Sequence, residues 1–164
     1  MEQNKTRYVW GLLRLMMGLI FLWAFLDKTF GWGFATIPEK SWLAGGSPTA
    51  GFLQFGVHGP FADFYHSLAG VPLVDWLFML GLFFIGITLT FGIFVKLGGL
   101  TGIIMLFLMY TAVGIFPENN PFIDDHLVYI LVMVGLIISD SGSYFGFGNY
   151  WSRTSLVQRF KIFR

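Results

Sequence analysis

The sequence contains no cysteine, and only 12% of its 164 residues are charged. Without cysteine the chain can form neither a disulfide nor a thiolate-ligated metal centre or iron–sulfur cluster. Soluble domains carry about 25% charged residues, so this chain has too few charges to cover a water-facing surface. The composition therefore excludes a soluble globular enzyme and a disordered tail. The net charge of +1 also argues against nucleic acid as a partner, because nucleic acid requires a strongly basic face.

Motifs for phosphate, nucleophile and metal chemistry are also missing. The sequence has no glycine-rich phosphate loop, no Gly-x-Ser-x-Gly elbow and no Walker pattern. Of its three histidines, only His126 falls in one of the runs long enough to be predicted as a membrane span below. Haem between helices usually needs ligands on facing helices, and a carboxylate-bridged metal site needs Glu-x-x-His on two helices. We therefore expect no bound haem, flavin or metal.

The chain is instead rich in apolar and aromatic side chains, which make up 55% and 20% of its residues. A helix needs about 20 apolar residues to cross the hydrocarbon core of a bilayer. The apolar runs predict spans at about 8–30, 73–95, 97–116 and 121–140. The last of these runs is uncharged only over 127–139. Glycines at helical spacing inside the runs predict close contacts between helices. The sequence thus predicts a single all-α membrane domain over 1–164, an integral four-helix bundle.

The distribution of lysine and arginine sets the expected orientation of this bundle. With both termini in the cytoplasm, the inner side carries eight basic residues against two acidic ones, and the outer side two against seven. Four of the inner basic residues lie in the tail 141–164. We predict a multi-pass protein of the cytoplasmic membrane, with lipid as its surroundings and both termini inside.

The segment 31–72, between the first two spans, is too apolar to remain in water as a flexible linker. We expect a long extracytoplasmic loop of short helices that covers the outer side as a lid. Ser47-Pro48 predicts a helix start, with serine as N-cap and proline at the first helical position. Asn120 is the expected N-cap of the fourth helix.

Ionisable side chains at membrane depth are costly and are functional candidates. They gather at the outer ends of the predicted spans, where we expect a shared polar site. Its predicted members are Asp27, Asp75, Glu118, Asp124, Asp125, His126 and Tyr129, with Lys28, Trp76, Asn119 and Asn120 as substrate-binding residues.

His126 is the central candidate of this site. Asp125 and Tyr129 are four residues apart, and His126 and Tyr129 three, so acid, imidazole and phenol can share one helix face. Such a histidine can pass protons near neutral pH, and the alternative is a purely structural hydrogen-bond network. Asp75 and Asp124 can equally serve only as partners of helix dipoles. Arg14 is expected to extend to cytoplasmic phosphates, and Lys28 is either an interfacial anchor or an anion contact.

Several segments resemble the DoxX/DoxD family, in particular its thiosulfate:quinone oxidoreductase branch. The segment 13–28, LRLMMGLIFLWAFLDK, is similar to the first helix of the family. Three further segments are similar to members of this branch: SWLAGGSPTAGFL at 41–53, VDWLFMLG at 74–81 and ENNPFIDDHLVY at 118–129. The resemblance covers nearly the whole chain.

The resemblance implies a four-helix membrane subunit that works with a small DoxA partner. Thiosulfate would be oxidised to tetrathionate and a membrane quinone, the diffusible co-substrate, would be reduced. On this interpretation His126 donates protons to the quinone while Asp125 and Tyr129 orient it, and Lys28 contacts the anion. A non-catalytic accessory or assembly subunit of a larger respiratory complex is the main alternative. A small oligomeric transporter or channel is a third.

Overall fold

The computed structural model of the chain describes residues 2–115, 120 and 123–163, and every regular element in these ranges is helical. The all-α prediction is therefore confirmed. Three one-turn 3-10 helices lie at Pro38–Lys40, Ser141–Ser143 and Lys161–Phe163. The α-helices are α1 Glu2–Phe30, α2 Ala50–Phe55, α3 Ala62–Ser67, α4 Pro72–Phe91, α5 Val95–Val113, α6 Asp125–Ile138, α7 Gly148–Trp151 and α8 Ser155–Arg159.

Three of these helices are long and apolar enough to cross a membrane. They are Lys5–Phe30 within α1, Pro72–Phe91 and Val95–Val113. The second and third spans are separated at 92–94 rather than at Lys96, because Gly92 and Phe94 take left-handed backbone angles, with φ of 71° and 52°. Length and composition thus support a membrane-embedded protein.

The fourth predicted span, 121–140, differs from the helix that forms. α6 has 14 residues, about 21 Å of helix, which is shorter than the roughly 30 Å of a hydrocarbon core. It begins at Asp125 because Asp124 is extended and its Oδ1 accepts the N–H of Leu127 at 3.2 Å. The prediction that Asn120 caps this helix is wrong: Asn120 Oδ1 accepts the N–H of Ile123 at 3.4 Å instead.

The four longest helices pack around one core. α1 contacts α4, α4 contacts α5, α5 contacts α6, and α6 also contacts α1. Met79, Ile85, Leu89, Met133 and Leu136 are completely buried between them. The predicted close approach of helices occurs at Gly86, where a Cβ atom would come within 2.8 Å of the Leu22 Cα in α1.

The segment 31–71 between α1 and α4, here called the lid, contains one 3-10 helix and the short helices α2 and α3. Its Leu53, Val57 and Tyr65 pack with Ala112 of α5 in a second small core. α2 begins at Ala50, two residues later than the Ser47-Pro48 pattern predicts. Ser47 nevertheless accepts the N–H of Ala50 on its Oγ at 3.0 Å, so the serine caps the turn that leads into the helix.

Arg14 is buried, and the prediction that it extends to cytoplasmic phosphates is wrong. Its guanidinium donates to the carbonyls of Leu89 and Thr90 at the end of α4. It also donates to the carbonyls of residues 141, 144 and 145, which follow α6. The side chain turns inward because these backbone oxygens satisfy its N–H groups inside the protein.

Candidate functional site

Asp27 lies in the last turn of α1 and is only 1% exposed. Its Oδ2 accepts the N–H of Ala35 at 2.9 Å, and its Oδ1 accepts the N–H of Phe34 at 3.3 Å. The carboxylate is therefore occupied by the backbone of the lid. Its position explains how the chain turns back over the end of α1.

Asp75 lies in the first turn of α4 and is also buried. Its Oδ1 accepts three hydrogen bonds from the lid: from Ser47 Oγ at 2.8 Å, from Thr49 Oγ1 at 2.6 Å and from the Thr49 N–H at 3.2 Å. Asp75 therefore does more than complement the dipole of its own helix. With Asp27, it attaches the lid at two separate points.

His126 pairs with Asp124 in the structure. The distance from His126 Nδ1 to Asp124 Oδ2 is 2.6 Å, and both side chains are largely buried. The sequence prediction had Asp125 and Tyr129 orienting the imidazole, but Asp125 is exposed and Tyr129 packs against the main core. Asp124 contacts the imidazole instead, because its extended backbone turns its side chain back over the first turn of α6.

The predicted polar residues do not meet in one hydrogen-bonded site within the described ranges. Asp27 binds residues 34 and 35, Asp75 binds Ser47 and Thr49, and His126 binds Asp124. Trp76 is 55% exposed, and its ring packs edge-on against Trp42 with centroids 4.6 Å apart. The remaining two candidates, Glu118 and Asn119, lie outside the described residues.

A cavity of about 570 Å³ lies between α4 and α5, beneath α2 and α3 of the lid. Its walls are almost entirely apolar. Leu77, Ile104 and Leu108 line it and are at least half exposed. The cavity therefore opens between the exposed lateral faces of α4 and α5, where the hydrocarbon of a membrane would lie.

Lys28 reaches this cavity from α1, and of the predicted site residues that the structure describes it alone lines the cavity. Its Nζ lies 3.4 Å from the carbonyl of Pro48 and 6.0 Å from the ring centre of Phe78. No carboxylate of the described chain forms an ion pair with this ammonium. A positive donor at the lid end of an apolar cavity suits a ligand with an acceptor or anionic head and an apolar body.

Sequence analysis missed the other polar members of the cavity, Thr49, Tyr65 and Thr101. Tyr65 is already engaged, since its hydroxyl lies 3.0 Å from the Leu108 carbonyl and 2.6 Å from Thr111 Oγ1. Gly81, one of the glycines in the second predicted span, also lines the cavity. The available signal for this cavity in the sequence was a lysine at the end of one predicted span and a glycine inside another. Only the packing of the helices shows that both residues line the same cavity.

Across the described ranges, no group of three or more His, Asp or Glu side chains is arranged to hold a metal ion. Comparisons with protein-family models, curated proteins and solved structures found no match to this chain. The cavity with Lys28, and the separate His126–Asp124 pair, are therefore the two arrangements on which a function can be argued.

Proposed function

We propose that this protein is a DoxX/DoxD-like membrane subunit of a quinone-linked oxidoreductase, with four helices in the cytoplasmic membrane. The quinone binds in the cavity between α4 and α5. The observation that carries this proposal is an apolar cavity, open toward the lipid side, that contains the ammonium of Lys28, which forms no ion pair with a carboxylate of the described residues. A quinone has the matching chemistry, because its carbonyl oxygens accept hydrogen bonds and its tail is apolar.

Lys28 would act on the head of this quinone. Its Nζ donates to one quinone carbonyl, and its charge stabilises the negative charge that develops on that oxygen during reduction. The tail of the quinone follows Leu77 and Ile104 out of the cavity toward lipid.

The electron donor is proposed from the sequence resemblance. Two thiosulfate ions each lose one electron and join through a new S–S bond as tetrathionate. The quinone takes up these two electrons together with two protons. The small DoxA-like partner belongs to this proposal as the second subunit.

His126 is the proposed source of protons. Asp124 accepts from Nδ1, which leaves Nε2 to exchange a proton with water or substrate. The pair is not among the residues that line the cavity, so it would deliver protons through water rather than by direct contact with the quinone.

Substitution of Lys28 tests the proposal. Lys28→Met should weaken binding of a short-chain quinone by about tenfold or more, because it removes a charged hydrogen-bond donor. Binding is followed by tryptophan fluorescence quenching of the purified full chain, and thiosulfate-dependent quinone reduction is assayed with the small partner present.

Lys40→Met is the matched control, since Lys40 is an exposed lysine of the lid that does not line the cavity. Quinone binding should remain at the wild-type level in this variant. Equal effects of the two substitutions, or no quinone binding by the wild-type protein, would refute the proposal.

A non-catalytic accessory subunit is a second candidate, and the cavity lining favours it in one respect. Among the described residues that line the cavity, Lys28 and Tyr65 are the titratable ones, and the Tyr65 hydroxyl is already hydrogen-bonded. Such a cavity can hold a quinone without supplying protons. Lys28-dependent quinone binding without thiosulfate-dependent turnover, together with co-purification of a haem- or metal-bearing complex, would favour this function.

A further inference from the structure

The chain after α6 folds back onto one end of the helices and exposes an unusual set of side chains. Phe145, Phe147 and Tyr150 are 57–75% exposed, and Phe160 and Ile162 are about half exposed. Arg153 and Arg159 are exposed in the same segment. We propose that the segment 145–162, here called the C-terminal patch, is a binding surface for anionic phospholipid headgroups.

The charge of the patch fits this partner. Residues 141–164 contain four basic residues and no acidic one. Lys5, Arg7 and Lys96 lie at the same end, because Arg7 near the start of α1 donates to the Tyr144 hydroxyl and α5 follows the turn against which the patch packs. Basic residues close to a membrane surface are attracted to anionic headgroups over roughly a Debye length.

The position of the patch places it at the level of the headgroups. Phe94, in the turn between α4 and α5, packs against Trp151 with ring centres 4.5 Å apart and against Phe163 at 5.6 Å. The N–H of Phe147 donates to the last residue of α4, Phe91, at 2.8 Å. α4 and α5 are both candidate spans, so a segment attached to the turn between them lies where a membrane meets water.

The patch is held in shape, which keeps its apolar rings exposed. Val157 is 4% exposed beneath it, and the Trp151 indole donates to the Phe163 carbonyl at 2.6 Å. Aromatic rings next to arginines are typical of membrane interfaces, where the rings enter the headgroup region and the guanidinium groups meet phosphates. A lipid surface therefore covers both the apolar and the basic parts of the patch.

Lipid retention by the purified full chain tests the proposal. The protein is exposed to equal amounts of phosphatidylglycerol and phosphatidylcholine with identical acyl chains, and retained lipids are counted by native mass spectrometry. The wild type should retain more phosphatidylglycerol. Arg153→Gln and Arg159→Gln should each reduce this preference by about fivefold, and high salt should reduce it as well.

Two controls separate charge from other effects. The double variant R153K/R159K should keep the preference, because lysine restores the charge. Lys40→Gln removes one exposed charge from the lid and should leave the preference within about twofold of wild type. Both substituted arginines are exposed, so their variants should fold.

The proposal is overturned if the wild type shows no preference for phosphatidylglycerol, or if the double variant R153Q/R159Q keeps it. One such outcome also names the alternative partner: the double variant keeps its lipid preference but loses a protein subunit that co-purifies with the wild type. The surface would then belong to a protein partner.

Discussion

Arg14 shows how a single charged side chain is accommodated among apolar helices. It is fully buried, and its partners are backbone carbonyls of α4 and of the chain after α6. The last carbonyls of a helix have no partner within the helix and carry the negative end of its dipole. Arg14 therefore connects α1 to two segments that are distant in sequence.

Arg14→Met should lower the free energy of unfolding by at least about 3 kcal/mol, because several buried carbonyls lose their donors at about 1–3 kcal/mol each. Unfolding in mixed micelles, followed by tryptophan fluorescence, measures this loss. The control is Arg7→Met, since Arg7 is exposed and its NH1 donates to the Tyr144 hydroxyl, at 3.3 Å, rather than to buried carbonyls. Equal losses in the two variants would show that the carbonyl contacts contribute nothing to stability.

At the scale of elements, the lid depends on two carboxylates that belong to other helices. Asp27 fixes its beginning and Asp75 fixes the turn that leads into α2. Thr49, one of the Asp75 partners, also lines the cavity. Two of the acids predicted to form a catalytic site, Asp27 and Asp75, thus position the lid over the cavity that contains Lys28.

Asp75→Ala should loosen the lid around Thr49, because the N–H and hydroxyl of Thr49 and the hydroxyl of Ser47 lose their acceptor. We expect amide hydrogen exchange in 47–55 to become about tenfold faster, with α4 unchanged, as measured by mass spectrometry. Asp63→Ala in α3 removes an exposed acid of the lid and serves as the control. Unchanged exchange in the Asp75 variant would mean that other contacts hold the turn.

The arrangement of the whole molecule in the membrane depends on whether α6 crosses it. The helix is shorter than a typical hydrocarbon core, but a short helix can be accommodated by local thinning of the bilayer. Because the chain has no cysteine, single-cysteine variants report sidedness without a background signal.

Leu43→Cys in the lid and Asp125→Cys at the start of α6 should react with an impermeant maleimide from one side of the membrane. Tyr150→Cys should react from the other side. All three positions are exposed, and sealed vesicles of both orientations provide the comparison. Labelling of Asp125→Cys and Tyr150→Cys from the same side would show that α6 does not cross.

Run length and charge were enough to locate the long helices, because a spanning helix must be apolar over its whole length. The same pattern placed the end of the second span at 95, since sequence alone did not reveal the left-handed backbone of Phe94. It also extended the fourth helix back to 121, although Asp124 caps that helix from outside. Both errors concern local backbone angles that apolar run length does not encode.

The sequence by itself determined that this protein is helical, apolar and short of charge, because these properties are sums over residues. Only the tertiary structure decided where each polar group points. Asp27 and Asp75 accept hydrogen bonds from the lid, and Arg14 donates to backbone carbonyls. Lys28 lines a cavity whose other walls come from α2, α3, α4 and α5. The physical reason is that a buried polar group is fixed by its partner, and these partners lie 7 to 131 residues away along the chain.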